Sequence, residues 1–179
     1  YWLNWVSQSV AVADGSNHHL ALGDQFGTLA LLDAAGRMEW SRALADGRAF
    51  DVTAIAQGRL GGETRIVAAA NALVEGGRAV IESYSVRGQR RSMQAVDAPV
   101  LYLHLGDLDG DDRDEVLYVT GMNSLEDVCR LHIANEAGVP LHEVELGGCQ
   151  EAEITTGPEE GEKRIAVRIH PGFLQGVPP

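Results

Sequence analysis

Residues 103–119 read LHLGDLDGDDRDEVLYV, and this stretch decides the fold of the chain. Apolar runs rich in residues that favour strands flank it, over 100–105 and 116–120, and they predict two β-strands. Between the runs, residues 106–115 carry six acidic side chains and one arginine. Because like charges this close repel one another, a tight turn of this composition needs a compensating positive charge. The sequence therefore predicts a β-hairpin whose loop holds a cation.

Carboxylates recur at alternate positions of this loop and again at its end. Ca²⁺ takes about six to eight oxygen ligands, and alternating carboxylates supply them compactly, together with a backbone carbonyl at position 7. We expect the acidic side chain at position 8, Asp114, to point away from the ion. A solvated acidic surface turn is the alternative. The predicted Ca²⁺ ligands are Asp107, Asp109, Asp111, the carbonyl of Arg113, and Glu115.

The flanking strands separate this loop from an EF-hand, in which a loop of about twelve residues lies between two helices. The segment resembles the cation-binding repeat of the integrin alpha-subunit type, also called the FG-GAP or VCBS repeat, which builds β-propeller blades. That pattern usually has Gly at position 6 of the loop, whereas this chain has Asp112. Because Asp tolerates left-handed backbone geometry better than most residues, we expect weaker binding and not its loss.

If the chain forms propeller blades, its sequence should repeat at a fixed period. A glycine in a turn between two apolar strands recurs at Gly36, Gly88 and Gly138, at intervals of 52 and 50 residues. A second marker, the strand after the cation-loop position, recurs near Leu20, Ile66, Val116 and Ile165, at intervals of about 46, 50 and 49 residues. Because both markers recur at a similar period, the sequence predicts repeats of four short strands.

The resemblance and the period together predict an all-β fold, a β-propeller of four-stranded antiparallel blades with about three and a half blades present. We interpret residues 1–179 as one partial propeller, with residues 1–5 as a strand of a preceding blade and the last blade incomplete. The remainder of the propeller would then come from the same protein or from another chain. The predicted blades cover about 6–44, 52–96, 100–146 and 151–179.

The other repeats lack a comparable cation loop. The matching segment of the second repeat is two residues shorter and has Arg59 where a carboxylate would be needed. In the fourth repeat, Glu159, Glu160 and Glu162 have the wrong spacing and Lys163 follows at once. We therefore predict one cation site, in the third repeat.

The net negative charge of the chain argues against nucleic acid as a partner. It has 14 Lys and Arg against 26 Asp and Glu, a net charge of −12 and an isoelectric point near 4.8, so we do not expect nucleic acid as a partner. Arg87, Arg90 and Arg91 form a small basic cluster that we interpret as a solvated hairpin tip. No apolar run approaches the roughly 20 residues of a membrane span, so we expect no membrane insertion.

The two cysteines, Cys129 and Cys149, leave two possibilities open. They form a disulfide between successive blades, or they are free buried thiols. A disulfide and a single weak Ca²⁺ loop would both favour an extracellular, cell-surface or periplasmic location.

No catalytic motif is present, so we expect no enzymatic activity. The resemblance implies a calcium-stabilised recognition module for a protein partner within a larger extracytoplasmic protein. A carbohydrate-binding propeller is one alternative, since lectins and some polysaccharide lyases resemble this repeat, and a glycan would then be the ligand. A non-catalytic structural domain, for example of a polysaccharide-active enzyme, is the other.

Overall fold

The chain folds into β-strands joined by short turns. The computed structural model describes residues 5–121, 128–148, 151–159 and 162–170. Sheet 1 contains β1 (Val6–Asp14), β2 (Asn17–Asp24), β3 (Thr28–Asp33) and β4 (Met38–Ala43). Sheet 2 contains β5 (Ala49–Leu60), β6 (Glu63–Val74), β7 (Gly77–Ser85) and β8 (Arg90–Val96). Sheet 3 contains β9 (Val100–Gly106), β10 (Glu115–Thr120), β11 (Val128–Ala134) and β12 (Pro140–Gly148), and a further pair contains β13 (Glu151–Glu159) and β14 (Glu162–His170).

Each of the three larger sheets is antiparallel, with its strands side by side in chain order. This confirms the predicted all-β class and the four-stranded antiparallel sheets. A single 3₁₀ turn, Leu44–Gly47, links sheets 1 and 2, and no helix in the described ranges has the length and apolar character of a membrane span. Residues 1–4, predicted as part of a strand, lie outside the described residues, and Trp5 forms a bend.

The first strands of successive sheets lie next to one another. Strand β5 contacts β1 of sheet 1 and β9 of sheet 3, and β9 in turn contacts β13. A radial arrangement of sheets that meet along their first strands is typical of a β-propeller.

Strand β6 is buried on both faces. Its side chains alternate between a face that packs on sheet 1 and a face that packs on sheet 3. Ile66, Ala68 and Ala70 belong to the core shared with sheet 1. Val67 and Ala69 belong to the core shared with sheet 3. Because successive side chains of a strand point to opposite faces, this apolar run packs against two sheets at once. Sheet 2 is therefore the middle layer of three.

The same tight turn joins the third and fourth strands of every four-stranded sheet. In each turn a glycine with φ between 74° and 80° donates its N–H to the carbonyl three residues earlier, at 2.9 Å. Positive φ is the reason glycine recurs there, since other residues are strained in this region. The donor and acceptor pairs are Gly36 with Asp33, Gly88 with Ser85, and Gly138 with Asn135.

A fully buried carboxylate holds the connection between sheets 1 and 2. Glu82 of β7 is 0% exposed, and its Oε1 accepts a hydrogen bond of 2.8 Å from the N–H of Ala45. The Tyr84 hydroxyl donates to the other carboxylate oxygen, and the Arg90 guanidinium lies 3.6 Å from Oε1. Ala45 has a φ of 49°, a left-handed value that non-glycine residues adopt at a cost. Glu82 therefore stabilises a strained turn from the neighbouring sheet.

Candidate cation site

The acidic loop joins β9 to β10 of sheet 3. Glu115 is the first residue of β10 and pairs with Gly106, the last residue of β9. The last predicted ligand is therefore held by the strand ladder, whereas the aspartates lie in the turn. Antiparallel strands in chain order place this loop at the same edge of the molecule as the β5–β6 and β7–β8 hairpins.

Three of the predicted ligands lie together. Asp107, Asp109 and Glu115 each offer a carboxylate oxygen, and these oxygens lie within 4.8 Å of one another. Ligands on opposite sides of a Ca²⁺ ion are separated by about twice the bond length of roughly 2.3–2.6 Å. Three oxygens within this span fit a single coordination sphere, and an all-oxygen donor set suits a hard cation.

Hydrogen bonds from the loop backbone turn these carboxylates inward. The Glu115 Oε2 accepts the N–H of Leu108 at 2.8 Å, and the Asp107 Oδ1 accepts the N–H of Gly110 at 2.6 Å. Each bond spans a few residues and curls the chain around its own acidic side chains. The loop is therefore already folded around the position that a cation would take.

Asp111, the fourth predicted carboxylate ligand, is placed differently. Asp111 is half-exposed, lies outside the group of three carboxylates, and accepts the N–H of Arg113 at 2.9 Å. The Arg113 guanidinium lies 4.0 Å from the same carboxylate. An exposed pair of this kind contributes little stability, so it holds the Asp111 carboxylate only weakly.

The departure at position 6 has a structural counterpart. Asp112 has a φ of 64°, within the left-handed region, and its N–H donates to the Asp107 Oδ2 at 3.3 Å. The backbone therefore adopts the left-handed conformation that glycine usually supplies. In an aspartate this conformation is strained, because its Cβ approaches the backbone.

Asp114 is not one of the three clustered carboxylates and instead bonds to the neighbouring sheet. Its Oδ2 accepts the N–H of Arg59 at 2.5 Å, and its own N–H donates to the Arg59 carbonyl at 2.9 Å. The adjacent Gly58 makes this approach possible, since a Cβ there would lie 2.8 Å from the Cβ of Leu105 and closer still to the Asp114 carboxylate. The loop is thus attached to the β5–β6 hairpin of sheet 2.

Burial and the neighbouring carboxylates both change the titration of Glu115. Burial raises the pKa of Glu115 above its ordinary value of 4.5, and the Leu108 N–H partly opposes this. The charges of Asp109, Asp111 and Asp107 raise the pKa of Glu115 further. Mutual repulsion of this kind is what a bound divalent cation offsets.

The structure adds two polar features that sequence reasoning missed. In the sequence, Arg59 stands out only as a residue unsuited to bind a cation, yet its backbone anchors the acidic loop. Glu82 lies in an apolar strand and gave no signal of its own.

The structure also bears on the two cysteines. Cys129 is disulfide-bonded, and Cys149 lies outside the described residues.

Comparison with known proteins finds solved structures of similar fold. No family model and no curated protein matches the chain. The crystal structure of BBS1N in complex with ARL6DN, soaked with mercury, is similar with a TM-score of 0.66 and 10% identity, over 94% of this chain and 50% of that chain. The corresponding lead-soaked crystal is similar with a TM-score of 0.58 and 9% identity, over 94% and 52%.

A protein of unknown function from Bacteroides caccae is similar with a TM-score of 0.44 and 12% identity, over 82% of this chain and 46% of that chain. The chain spans about half the length of the solved structures it matches. At these identities the likeness to BBS1N shows the fold alone, a β-propeller architecture.

Proposed function

We propose that this chain is a calcium-stabilised β-propeller module of the FG-GAP type that recognises a protein partner. The observation that carries the proposal is the approach of Asp107, Asp109 and Glu115 to within 4.8 Å around a tight loop. A bound Ca²⁺ would supply positive charge where these three carboxylates repel one another. Asp111 and the Arg113 carbonyl would complete the oxygen donors.

The proposed role of the ion is structural. The loop it would fold is attached through Asp114 to the backbone of Arg59 in the neighbouring sheet. An ion that binds only the folded state stabilises that state. Ca²⁺ would therefore fasten sheets 2 and 3 together at one edge, where two further hairpins lie.

Recognition of a protein partner is supported by the fold comparison. BBS1N, which shares the architecture, was crystallised in a complex with ARL6DN. The net charge of −12 disfavours nucleic acid as the alternative partner. We further propose that each four-stranded sheet is one blade, that about three and a half blades are present, and that the module has no enzymatic role.

The proposed location is outside the cytoplasm. Disulfides persist mainly in oxidising compartments, and Cys129 is disulfide-bonded. A weak Ca²⁺ loop with a strained position 6 suits the high free Ca²⁺ of such compartments.

Two measurements test the proposal. Isothermal titration of Ca²⁺ into the EDTA-stripped protein should show one site, which Asp109→Ala abolishes. Affinity capture in Ca²⁺ and in EGTA should then yield a protein whose purified form binds the wild type with defined stoichiometry and binds Asp109→Ala more weakly. A chain that takes up no Ca²⁺, or a purified partner that binds both forms equally, would contradict the proposal.

A further inference from the structure

A polar cleft of about 510 Å³ opens between hairpins of sheets 1 and 2. The β5–β6 hairpin contributes Arg59 and Glu63, the β7–β8 hairpin contributes Arg87 and Arg91, and the β1–β2 hairpin contributes Asp14. Ligand clefts commonly measure about 300–1,000 Å³. All these hairpins lie at the edge that carries the cation loop, so the cleft and the loop share one surface.

The arginines of the cleft differ in their partners. Arg91 forms an ion pair of 2.8 Å with Glu63, which also pairs with Arg65 at 3.1 Å. Among the described residues, no carboxylate lies within 4.0 Å of the guanidinium groups of Arg59 and Arg87. In an otherwise acidic chain, two exposed guanidinium groups therefore border one cleft without an ion-pair partner among the described residues.

Arg87 lies exposed in the β7–β8 turn, in keeping with a solvated hairpin tip. The structure adds that Arg87 lines the cleft together with Arg59, which lies 28 positions earlier in the chain. A guanidinium group presents a planar fork of donors that matches a carboxylate. The cleft therefore presents two such forks to solvent.

We propose that this cleft binds an acidic peptide segment of the partner protein, through carboxylate contacts to Arg59 and Arg87. The inference rests on the proposed function, and it names the chemistry that the partner presents. A short acidic peptide fits better than a polyanion such as nucleic acid, because Asp14 and Glu63 line the same cleft and the acidic loop lies on the same edge. These charges repel a long run of phosphates but leave room for one or two carboxylates.

Arg59 also links this cleft to the cation loop. Its backbone N–H and carbonyl both bond to Asp114, so the ordering of the loop fixes the main chain from which the Arg59 side chain projects. Fixing one binding group before a ligand arrives lowers the entropy lost on binding. Ca²⁺ should therefore tighten the binding of an acidic peptide.

Fluorescence anisotropy provides the test. The acidic probe is a labelled hexapeptide that carries two Glu residues among Gly and Ser, and the neutral probe is the same peptide with both Glu residues replaced by Gln. In Ca²⁺ the wild type should bind the acidic probe, and the double variant Arg59→Gln with Arg87→Gln should bind it roughly tenfold more weakly. The matched control, Arg48→Gln with Arg78→Gln, removes the same charge at the other end of sheet 2 and should bind as the wild type does. Circular dichroism melts establish that both double variants fold.

Several results would overturn the inference. Equal affinity for the acidic and neutral probes, or equal loss in both double variants, would remove the role of Arg59 and Arg87. Binding of inorganic phosphate without binding of the acidic peptide would make the cleft a phosphate site. If Ca²⁺ titration and partner capture succeed while the cleft variant still binds the partner fully, the proposed function stands and this inference fails. Peptide binding that depends on the two arginines but not on Ca²⁺ would support the peptide site and would contradict its coupling to the cation loop through Asp114.

Discussion

Arg59 and Asp114 are joined by two reciprocal hydrogen bonds across the boundary between sheets 2 and 3. The Arg59 N–H donates to the Asp114 carboxylate at 2.5 Å, and the Asp114 N–H donates to the Arg59 carbonyl at 2.9 Å. One residue belongs to the acidic loop and the other lines the polar cleft. This contact ties the acidic loop to the hairpin that lines the polar cleft.

Removal of Ca²⁺ should lower thermal stability. A ligand at about a hundredfold excess over its Kd stabilises the folded state by about 2.7 kcal/mol, so EDTA should lower the Tm of the wild type. Asp109→Ala removes one of the three clustered carboxylates and should eliminate most of this dependence. Thermal unfolding followed by circular dichroism in Ca²⁺ and in EDTA measures the effect, and superimposable wild-type curves would contradict it.

Asp112→Gly should raise the Ca²⁺ affinity and the stability of the loop. Asp112 has a φ of 64°, and glycine adopts this conformation without the cost of about 1 kcal/mol that other residues bear. Asp112→Asn is the matched control, because it removes the same charge but keeps a side chain. Calorimetric titration should rank affinity as Gly above Asn. An Asn variant that gains as much as the Gly variant would contradict the role given to the backbone conformation.

Gly58→Ala should weaken the attachment of the acidic loop without touching any predicted ligand. The added methyl group would lie 2.8 Å from the Cβ of Leu105 and would displace the Asp114 carboxylate. We expect a lower Tm and several-fold weaker Ca²⁺ binding. Gly36→Ala is a useful comparison, since its methyl group meets nothing within 4 Å although its φ of 77° still strains the turn. If both variants bind Ca²⁺ equally well, Gly58 does not act through the loop.

The sequence predicted the parts of this structure that depend on local chemistry. Glycines at Gly36, Gly88 and Gly138 revealed the four-stranded sheets because the turns they form require positive φ. The contact of Asp114 with Arg59 could not be predicted in the same way, since the partner lies 55 positions earlier and belongs to another sheet. The Ca²⁺ ion itself stays a prediction.

Two half-buried histidines should make stability depend on pH. Burial lowers the pKa of His132 and of His104 below the ordinary 6.5, against the opposing charges of Glu143 and Asp114 respectively. The unfolded chain therefore binds protons more readily, so the stabilisation is present above pH 6.5 and is lost as the pH falls below it. We expect the midpoint of urea unfolding, measured in EDTA, to fall between about pH 7.5 and 5.5. This fall should be smaller in His132→Gln than in the wild type.

The exposed His142 offers the control for that measurement. His142→Gln should show the same loss of midpoint as the wild type. A His132→Gln variant with an unchanged pH profile would show that its protonation does not oppose folding.

Glu82→Leu should destabilise the fold by about 1–3 kcal/mol, because it leaves the N–H of Ala45 buried without its acceptor. Glu82→Gln keeps a carbonyl oxygen that can accept that N–H, and should lose less. Urea unfolding of the two variants measures the difference. Equal losses would show that the charge near Arg90 matters more than the hydrogen bond to Ala45.

The turn that closes each four-stranded sheet shows how a repeat persists while its residues change. The acceptor at its start is a carboxylate in Asp33, a hydroxyl in Ser85 and an amide oxygen in Asn135, and each accepts the N–H of the residue four positions on. What is inherited from repeat to repeat is an oxygen at one point and a glycine three residues later. Two chains could therefore share this fold with very few identical residues. The common hydrogen-bond pattern of their turns would then show the similarity that a sequence alignment no longer detects.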